Sequence, residues 1–417
     1  MAGASARGRG RTAELIDAVR REAEAAQAAL SSLRDDVVAE ALRHAAERMR
    51  EQRADVLRVN DEDVARAAGQ LDGGAIDRLR LDDARLDDAE AQLRAMAELP
   101  PLEREIEHWT LDNGLSISTR RIPIGVVGAN FEARPGVALD IASQLLKSLN
   151  AFVLRTGGAA LRTVTLLVDE VLRPALARAG LPPSLVGLVR SDDHAGAHSL
   201  VSLPQLVPLV ILRGSGATTA ELQKVAAAHG VQTLAHAEGG GVLYVDAFAD
   251  SAVAETIVRA SLDRLGVCNR LNLLLVHRDV ELEPLLGVLR DVGVEAVTSG
   301  VSLHHEWAND ADNVASVTVH VVDSLADAVR IANTETSGLA AGIVTGDECA
   351  AQAFLDSYRG TAAFWHAPTR FTDGHALTGA PETGINAGWA PGPRGPVTYH
   401  DLWLRQVRVI GNGTQHR

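Results

Sequence analysis

Aromatic side chains are scarce in this 417-residue chain, at 3%: six phenylalanines, five tryptophans and three tyrosines. The core must therefore be built from Ala, Val and Leu. Cysteine is scarcer still, with only Cys268 and Cys349. Two thiols exclude a disulfide framework and a Cys-rich zinc site, and point to a reducing, cytoplasmic compartment. Basic charge is in deficit, 40 Lys and Arg against 54 Asp and Glu, for a net charge of −14. That argues against nucleic acid or an anionic membrane as partner, since both need a basic patch. A small anionic substrate is not excluded, because it needs only a local cluster of donors. No stretch approaches the roughly 18 apolar residues of a spanning helix. The basic start, Met1 to Arg11, is followed by no apolar signal-peptide core and reads as a frayed tail.

What is present is ordinary globular usage, 46% hydrophobic and 23% charged, long enough for two or three domains. From Thr12 to Leu99 apolar residues recur at three- and four-residue spacing among charges, which predicts a helical layer with no chemistry of its own. Trp109 to Pro123, with the turn Asp112-Asn113-Gly114, has the alternation of a β-hairpin. From Ile122 onward near-continuous apolar strands alternate with helices, the mark of a doubly wound parallel sheet. Strand Gly241 to Val245 is expected to close this series. Two strand ends open through glycines onto helices, Thr156-Gly157-Gly158 and Gly214-Ser215-Gly216. Backbone N–H groups there suit a phosphate or pyrophosphate, although plain turns use glycine in the same way. A second αβ series runs from Ser251 to about His366, then a Gly- and Pro-rich tail and a last apolar stretch, Leu402 to Ile410.

Cys268 sits at a break between a helical pattern and the apolar run Leu271 to Val276, with Arg264 and Arg270 nearby. A bend and cationic neighbours favour a thiolate; a small buried core residue is the alternative. Cys349 lies within an amphipathic helical pattern and reads as inert packing, so Cys268 is expected to react the faster with alkylating agents. His304-His305 lacks a third ligand at metal spacing and reads as a solvated loop. No metal is expected.

Several segments together resemble gamma-glutamyl phosphate reductases (glutamate-5-semialdehyde dehydrogenases), a branch of the aldehyde dehydrogenase superfamily. They are Ile76-Asp-Arg-Leu79, Asp112-Asn-Gly-Leu115, Ile122-Pro-Ile-Gly-Val-Val-Gly128, Phe131-Glu-Ala-Arg-Pro135, Leu146-Lys-Ser-Leu-Asn150, Leu212-Arg-Gly-Ser-Gly216, Val267-Cys-Asn269 and Thr369-Arg-Phe-Thr-Asp-Gly374. They fall in the expected order across almost the whole chain. The resemblance implies an aldehyde-dehydrogenase-like α/β fold, with two doubly wound parallel-sheet domains, an oligomerising β-hairpin and an N-terminal helical layer. The expected division is residues 12–250 for the helices and the Rossmann-like dinucleotide-binding domain (hairpin 109–123), 251–395 for the catalytic domain, and 396–417 for a returning oligomerisation strand.

It also implies reduction of L-glutamyl 5-phosphate with NADPH, in proline biosynthesis, by a homodimer or larger homo-oligomer. Cys268 falls on the nucleophile, which would pass through a thioester and a thiohemiacetal, its backbone N–H a natural oxyanion donor. Arg134 and Arg370 are candidates for the substrate carboxylate or phosphate, with a structural ion pair as the alternative. Glu132 would anchor the substrate ammonium or favour the following helix by its charge. Asn269 completes the substrate set. Arg155, Gly157, Gly158, Gly214 and Gly216 are the cofactor positions.

The family pattern also leads one to expect Gly at Leu149, Asn at Gly136 and His366, an acid at Asn272, Arg-Pro-Ser at Arg264-Leu265-Gly266 and a Thr-Gly-x-Gly-Asn-Cys-His run at His236 to Val242. These departures suggest a kept scaffold and an altered pocket. Two other readings therefore stand beside the first: another acyl phosphate or aldehyde as substrate, or a degenerate paralogue that binds a nucleotide or partner without catalysis.

Overall fold

The computed structural model describes residues 2–415 except 72, 215, 237–238, 266, 308–314 and 389–391. Outside the described residues lie Gly266 before Cys268, Ser215 in the second glycine turn, Ala237 and Glu238 of the His236 to Val242 run, Asp72 in the helical layer, Val314 and part of the Gly/Pro-rich tail.

The chain opens with five helices: α1 (Ala2–Ala29), α2 (Asp35–Glu51), α3 (Arg53–Ala67), α4 (Gly73–Leu79) and α5 (Asp83–Glu98). In α2 the first turn carries Asp35 and Asp36 and the last carries Arg48 and Arg50, each matched to the helix dipole. Buried polar groups fix this layer. Asn60 donates to the Leu79 carbonyl (3.0 Å) and accepts from Leu81 N–H (2.7 Å), while Asp63 accepts both Thr163 N–H (2.9 Å) and its hydroxyl (2.7 Å). The layer thus shares one apolar core with the sheet behind it.

Strands β1 (Glu105–Thr110) and β2 (Ser116–Pro123) form the antiparallel hairpin. Next come β3 (Val126–Phe131), helix α6 (Val137–Lys147), β4 (Ala151–Thr156), β5 (Val186–Leu188), β6 (Leu209–Arg213) and β7 (Gln232–His236). These five strands make a parallel sheet in the order β5-β4-β3-β6-β7. The chain leaves β3 to one side for β4 and β5 and returns on the other for β6 and β7. That reversal puts a crevice at the carboxyl ends of β3 and β6.

The second sheet holds β8 (Gly241–Val245), β9 (Leu271–His277), β10 (Glu295–Val297), β11 (Ser316–Val322), β12 (Ala340–Val344) and β13 (Ala362–Trp365), in the order β10-β11-β9-β8-β12-β13. Here β8 corrects the sequence reading. It pairs with β9 and β12 and so opens the second sheet rather than closing the first. Apolar clusters cover both faces of this sheet. A short pair, β14 (Gly384–Asn386) and β15 (Gly395–Val397), follows, and β16 (Trp403–Ile410) returns to run antiparallel along β2.

Two departures from the family pattern are backbone matters. Helix α6 ends in a Schellman motif: Asn150 N–H donates to Leu145 O and Leu149 N–H to Leu146 O, both at 2.8 Å. The residue between must be left-handed, and Leu149 is, at φ 60°. Glycine is the usual occupant because it carries no Cβ penalty. His366 is likewise left-handed at φ 53°, a conformation that Asn tolerates well.

Candidate functional site

Cys268 lies in the loop between helix Ser251–Ala260 and β9. The loop is tied down on every side. Gly240 N–H donates to Cys268 O (2.6 Å), Gly241 N–H to Arg270 O (2.8 Å) and Leu271 N–H to Ser261 O (2.9 Å). Asn269 spends its amide N–H groups on the carbonyls of Arg370 and Thr372, both at 3.0 Å, and Thr369 Oγ1 donates to Asn269 O at 2.9 Å. Arg370 binds Asp263 through Nε (2.5 Å) and the Asn269 side chain through Nη1. The Thr369 to Thr372 segment is therefore a clamp on the cysteine loop. Asn269 and Arg370 are its working parts, and Arg370 adopts the ion-pair alternative.

The thiol is half-buried and packs near Leu339, Ala340 and Ile385. Gly239 permits a close approach on its other side. A Cβ there would stand 2.5 Å from Glu306 Oε1 and 2.6 Å from Cys268 Cβ. Burial pushes the Cys268 pKa up to about 11, and the Glu306 carboxylate adds to this, while Arg134 and then Arg213 pull it down. The cations that act on the thiol are thus not the expected neighbours. Arg270 is buried and donates to Ser316 O (3.2 Å), and Arg264 acts on Arg134. Among the described residues no backbone acceptor takes the Cys268 N–H.

Above the first sheet, Glu132 continues β3 by donating its N–H to Arg213 O (3.2 Å), and Ala133 turns left-handed at φ 37°. An alanine in that region stores strain, and such strain gathers where a backbone must aim its neighbours. The turn presents Glu132 and Arg134 at the crevice. Arg134 is open to solvent, yet protein surrounds it enough to depress its pKa to about 10, with Arg213, Arg78 and Arg264 adding to the effect. Arg78 belongs to α4, so the helical layer contributes charge to the site, contrary to the expectation that it carries no chemistry.

The candidate cofactor residues cluster at the same strand ends. The Glu132 carboxyl lies over Gly214, 3.1 Å from where a Cβ would stand, and a Cβ on Gly158 would meet Asp192 Cβ at 3.1 Å. Gly157 N–H donates to Phe131 O (3.1 Å), and Gly216 opens a fourteen-residue helix. Glycines that keep side chains out of a crevice at helix starts fit a dinucleotide's pyrophosphate. Arg155 is buried, donating to Asn130 Oδ1 (3.2 Å) and Asp193 O (3.1 Å), with no partner for Nε. Burial pulls its pKa below the ordinary value.

Sequence reasoning missed Arg213, Glu306, Glu382 and Asp140. Arg213 ends β6, its stem against Gly384, whose Cβ site is 3.5 Å from Arg213 Cγ and Cδ. Asp140, in the first turn of α6, has its pKa raised to about 6 by burial, with Arg213 opposing and Glu382 adding to the rise. The end of a parallel strand beside the switch point was the available signal for Arg213; nothing local marks the other three. Cys349, read as packing, is exposed in the first turn of helix Glu348–Ser357. His304 Nε2 lies 3.2 Å from Glu335 Oε2, and Asn272 braces the loop beyond it, donating to His305 O (2.7 Å) and accepting from Trp307 N–H (2.9 Å).

The aldehyde dehydrogenase family profile matches residues 4–291. A gamma-glutamyl phosphate reductase of Clavibacter michiganensis is 38% identical over 96% of this chain and 96% of its own. That of Opitutus terrae is 34% identical over 96% and 98%. The solved gamma-glutamyl phosphate reductase of Thermotoga maritima superposes with a TM-score of 0.90 at 26% identity, covering 96% of this chain and all of that one. An engineered glycolyl-CoA reductase with bound NADP+ shares the fold, with a TM-score of 0.68 at 16% identity over 94% of this chain and 96% of its own. With its cysteine loop, glycine-lined crevice and match over 96% of its length, this chain belongs to the gamma-glutamyl phosphate reductase family of the aldehyde dehydrogenases.

Proposed function

We propose that the protein reduces L-glutamyl 5-phosphate to L-glutamate 5-semialdehyde with NADPH, using Cys268 as nucleophile. The observation that carries this reading is a clamped cysteine loop facing an arginine, Arg134, that has no ion-pair partner among the described residues. An arginine with no carboxylate of its own, set beside further arginines, is available to an anionic ligand. In the forward reaction the Cys268 thiolate attacks the acyl carbon, the bond to the phosphate oxygen breaks, and phosphate departs with the electron pair. A thioester remains. Gly157, Gly158, Gly214 and Gly216 would hold the pyrophosphate of NADPH, which when bound would supply the hydride for reduction of the thioester. The Cys268 N–H, which no described backbone acceptor takes, would donate to the oxyanion that forms. As the C–S bond breaks, the aldehyde is released and the thiolate returns.

Glu132 is a partner of the right charge for the substrate ammonium. The fold-level likeness to a reductase solved with NADP+ supports a nicotinamide cofactor. Three departures that suggested an altered pocket serve the scaffold instead. Leu149 and His366 occupy left-handed backbone positions, and Asn272 braces a loop. This weakens the case for a different substrate. A proline auxotroph lacking this reductase should grow on minimal medium when supplied with the gene, and should stop growing with Cys268→Ala. Purified protein should oxidise pyrroline-5-carboxylate with NADP+ and phosphate. Well-expressed protein that neither rescues growth nor turns over that substrate would remove the proposal.

A further inference from the structure

Arginines in this chain are mostly paired: Arg43, Arg53, Arg173, Arg190 and Arg370 each hold a carboxylate. Arg213 is an exception. It is half-buried at the carboxyl end of β6, and no described carboxylate lies within ion-pair distance of it. Its stem is guided across Gly384. The next residue, Ile385, belongs to the apolar cluster against which Cys268 packs. Arg213 and the thiol thus flank one dipeptide. On its other side, Arg213 O accepts the Glu132 N–H, two residues before the similarly unpaired Arg134. The charges of Asp140 and Glu382 act across the same space, but Glu382 has Oε2 engaged by Gly374 N–H (2.8 Å).

Resting on the function proposed above, we infer that Arg213 binds the phosphate of the acyl phosphate, sharing it with Arg134 as a two-guanidinium clamp beside Cys268. Each guanidinium offers paired N–H donors that match phosphate oxygens, and two of them can hold a dianion. Phosphate must sit next to the attacked carbon, so the cations that act directly on the thiol are the ones in position. As the sulfur attacks and the C–O bond breaks, the clamp receives the extra negative charge on the leaving phosphate. In reverse it holds inorganic phosphate for attack on the thioester carbonyl, with the C–S bond breaking and the sulfur departing as thiolate.

The test uses the full-length protein and inorganic phosphate. Iodoacetamide labelling of Cys268 at pH 9, read by mass spectrometry, is followed as phosphate is titrated. Phosphate should protect wild-type Cys268, and Arg213→Gln should raise the protecting concentration ten- to a hundredfold, the scale of one lost charged hydrogen-bonding group. Arg213→Lys, which keeps the charge, should fall between. In the reverse assay the KM for phosphate should rise by a similar factor, while the KM for pyrroline-5-carboxylate stays within threefold. Equal protection in wild type and Arg213→Gln overturns the inference. So does protection by L-glutamate, rather than phosphate, that disappears in the variant, because Arg213 would then read the carboxylate. Arg213-dependent protection without turnover of pyrroline-5-carboxylate would uphold the phosphate clamp and remove only the substrate.

Discussion

A thiol with a pKa near 11 is almost wholly protonated at neutral pH, and the half-buried Cys268 is in that state. Its alkylation by iodoacetamide in the free protein should climb about tenfold per pH unit from pH 7 to pH 10. A plateau already reached by pH 8 would contradict the raised pKa. At pH 7 the exposed Cys349 should label first, the reverse of what sequence alone suggested. Asp140 has the same kind of shift, from 3.8 to about 6. A carboxyl whose pKa rises on folding stabilises the fold below its unfolded value, and that contribution is lost as pH climbs through 6. Asp140→Asn should therefore gain about 1–3 kcal/mol at pH 8 and roughly half of that at pH 5 in urea melts. An equal effect at both values would refute the buried-charge account. Cys268 was legible from its loop and its family pattern. Its electrostatic setting was not, because Arg134, Arg213, Glu306 and Glu382 meet it from distant parts of the chain.

Elements were more legible than their partners. The apolar strands and the hairpin stand out in the sequence because period and turn residues are local. The sheet to which Gly241 to Val245 belongs did not, since strands buried on both faces look alike in either sheet. Leu149 shows a different limit. A mismatch with the family is visible in sequence, but only the backbone reveals that it is a left-handed helix cap rather than a change in the pocket. A non-glycine residue in that conformation costs roughly 1–2 kcal/mol, and Leu149 regains part of this by packing partly buried on the core. Leu149→Gly should consequently leave stability within about 1 kcal/mol of wild type, instead of the roughly 2–5 kcal/mol lost on truncating a core leucine. Kinetic constants should not move. A larger loss in chemical melts would mean that packing, and not strain, governs this position.

At the scale of the whole molecule, the three-stranded ribbon β1-β2-β16 is the feature with least cover. Strand β1 is exposed along its length, and Val407, Val409 and Ile410 of β16 are 53–54% exposed. Both outer strands of the ribbon are edges, which natural proteins seldom leave open beside apolar side chains. A homo-oligomer, as the family resemblance leads one to expect, would cover these edges. Light scattering at micromolar protein should give a dimer mass or more, and Val407→Lys with Val409→Lys should lower it; a wild-type monomer would exclude the arrangement.

The same ribbon is built from two segments, since β16 reaches β2 only after the chain has passed through the second sheet. Tyr399 N–H is held by Gln144 Oε1 (2.6 Å) just before it, and the Leu402 carbonyl by Asn150 (2.8 Å). Subunits parting on dilution would strip cover from a strand anchored to helix α6, whose first turn follows Arg134. Specific activity should then drift with enzyme concentration, so that a rate read at nanomolar protein carries the association constant within it.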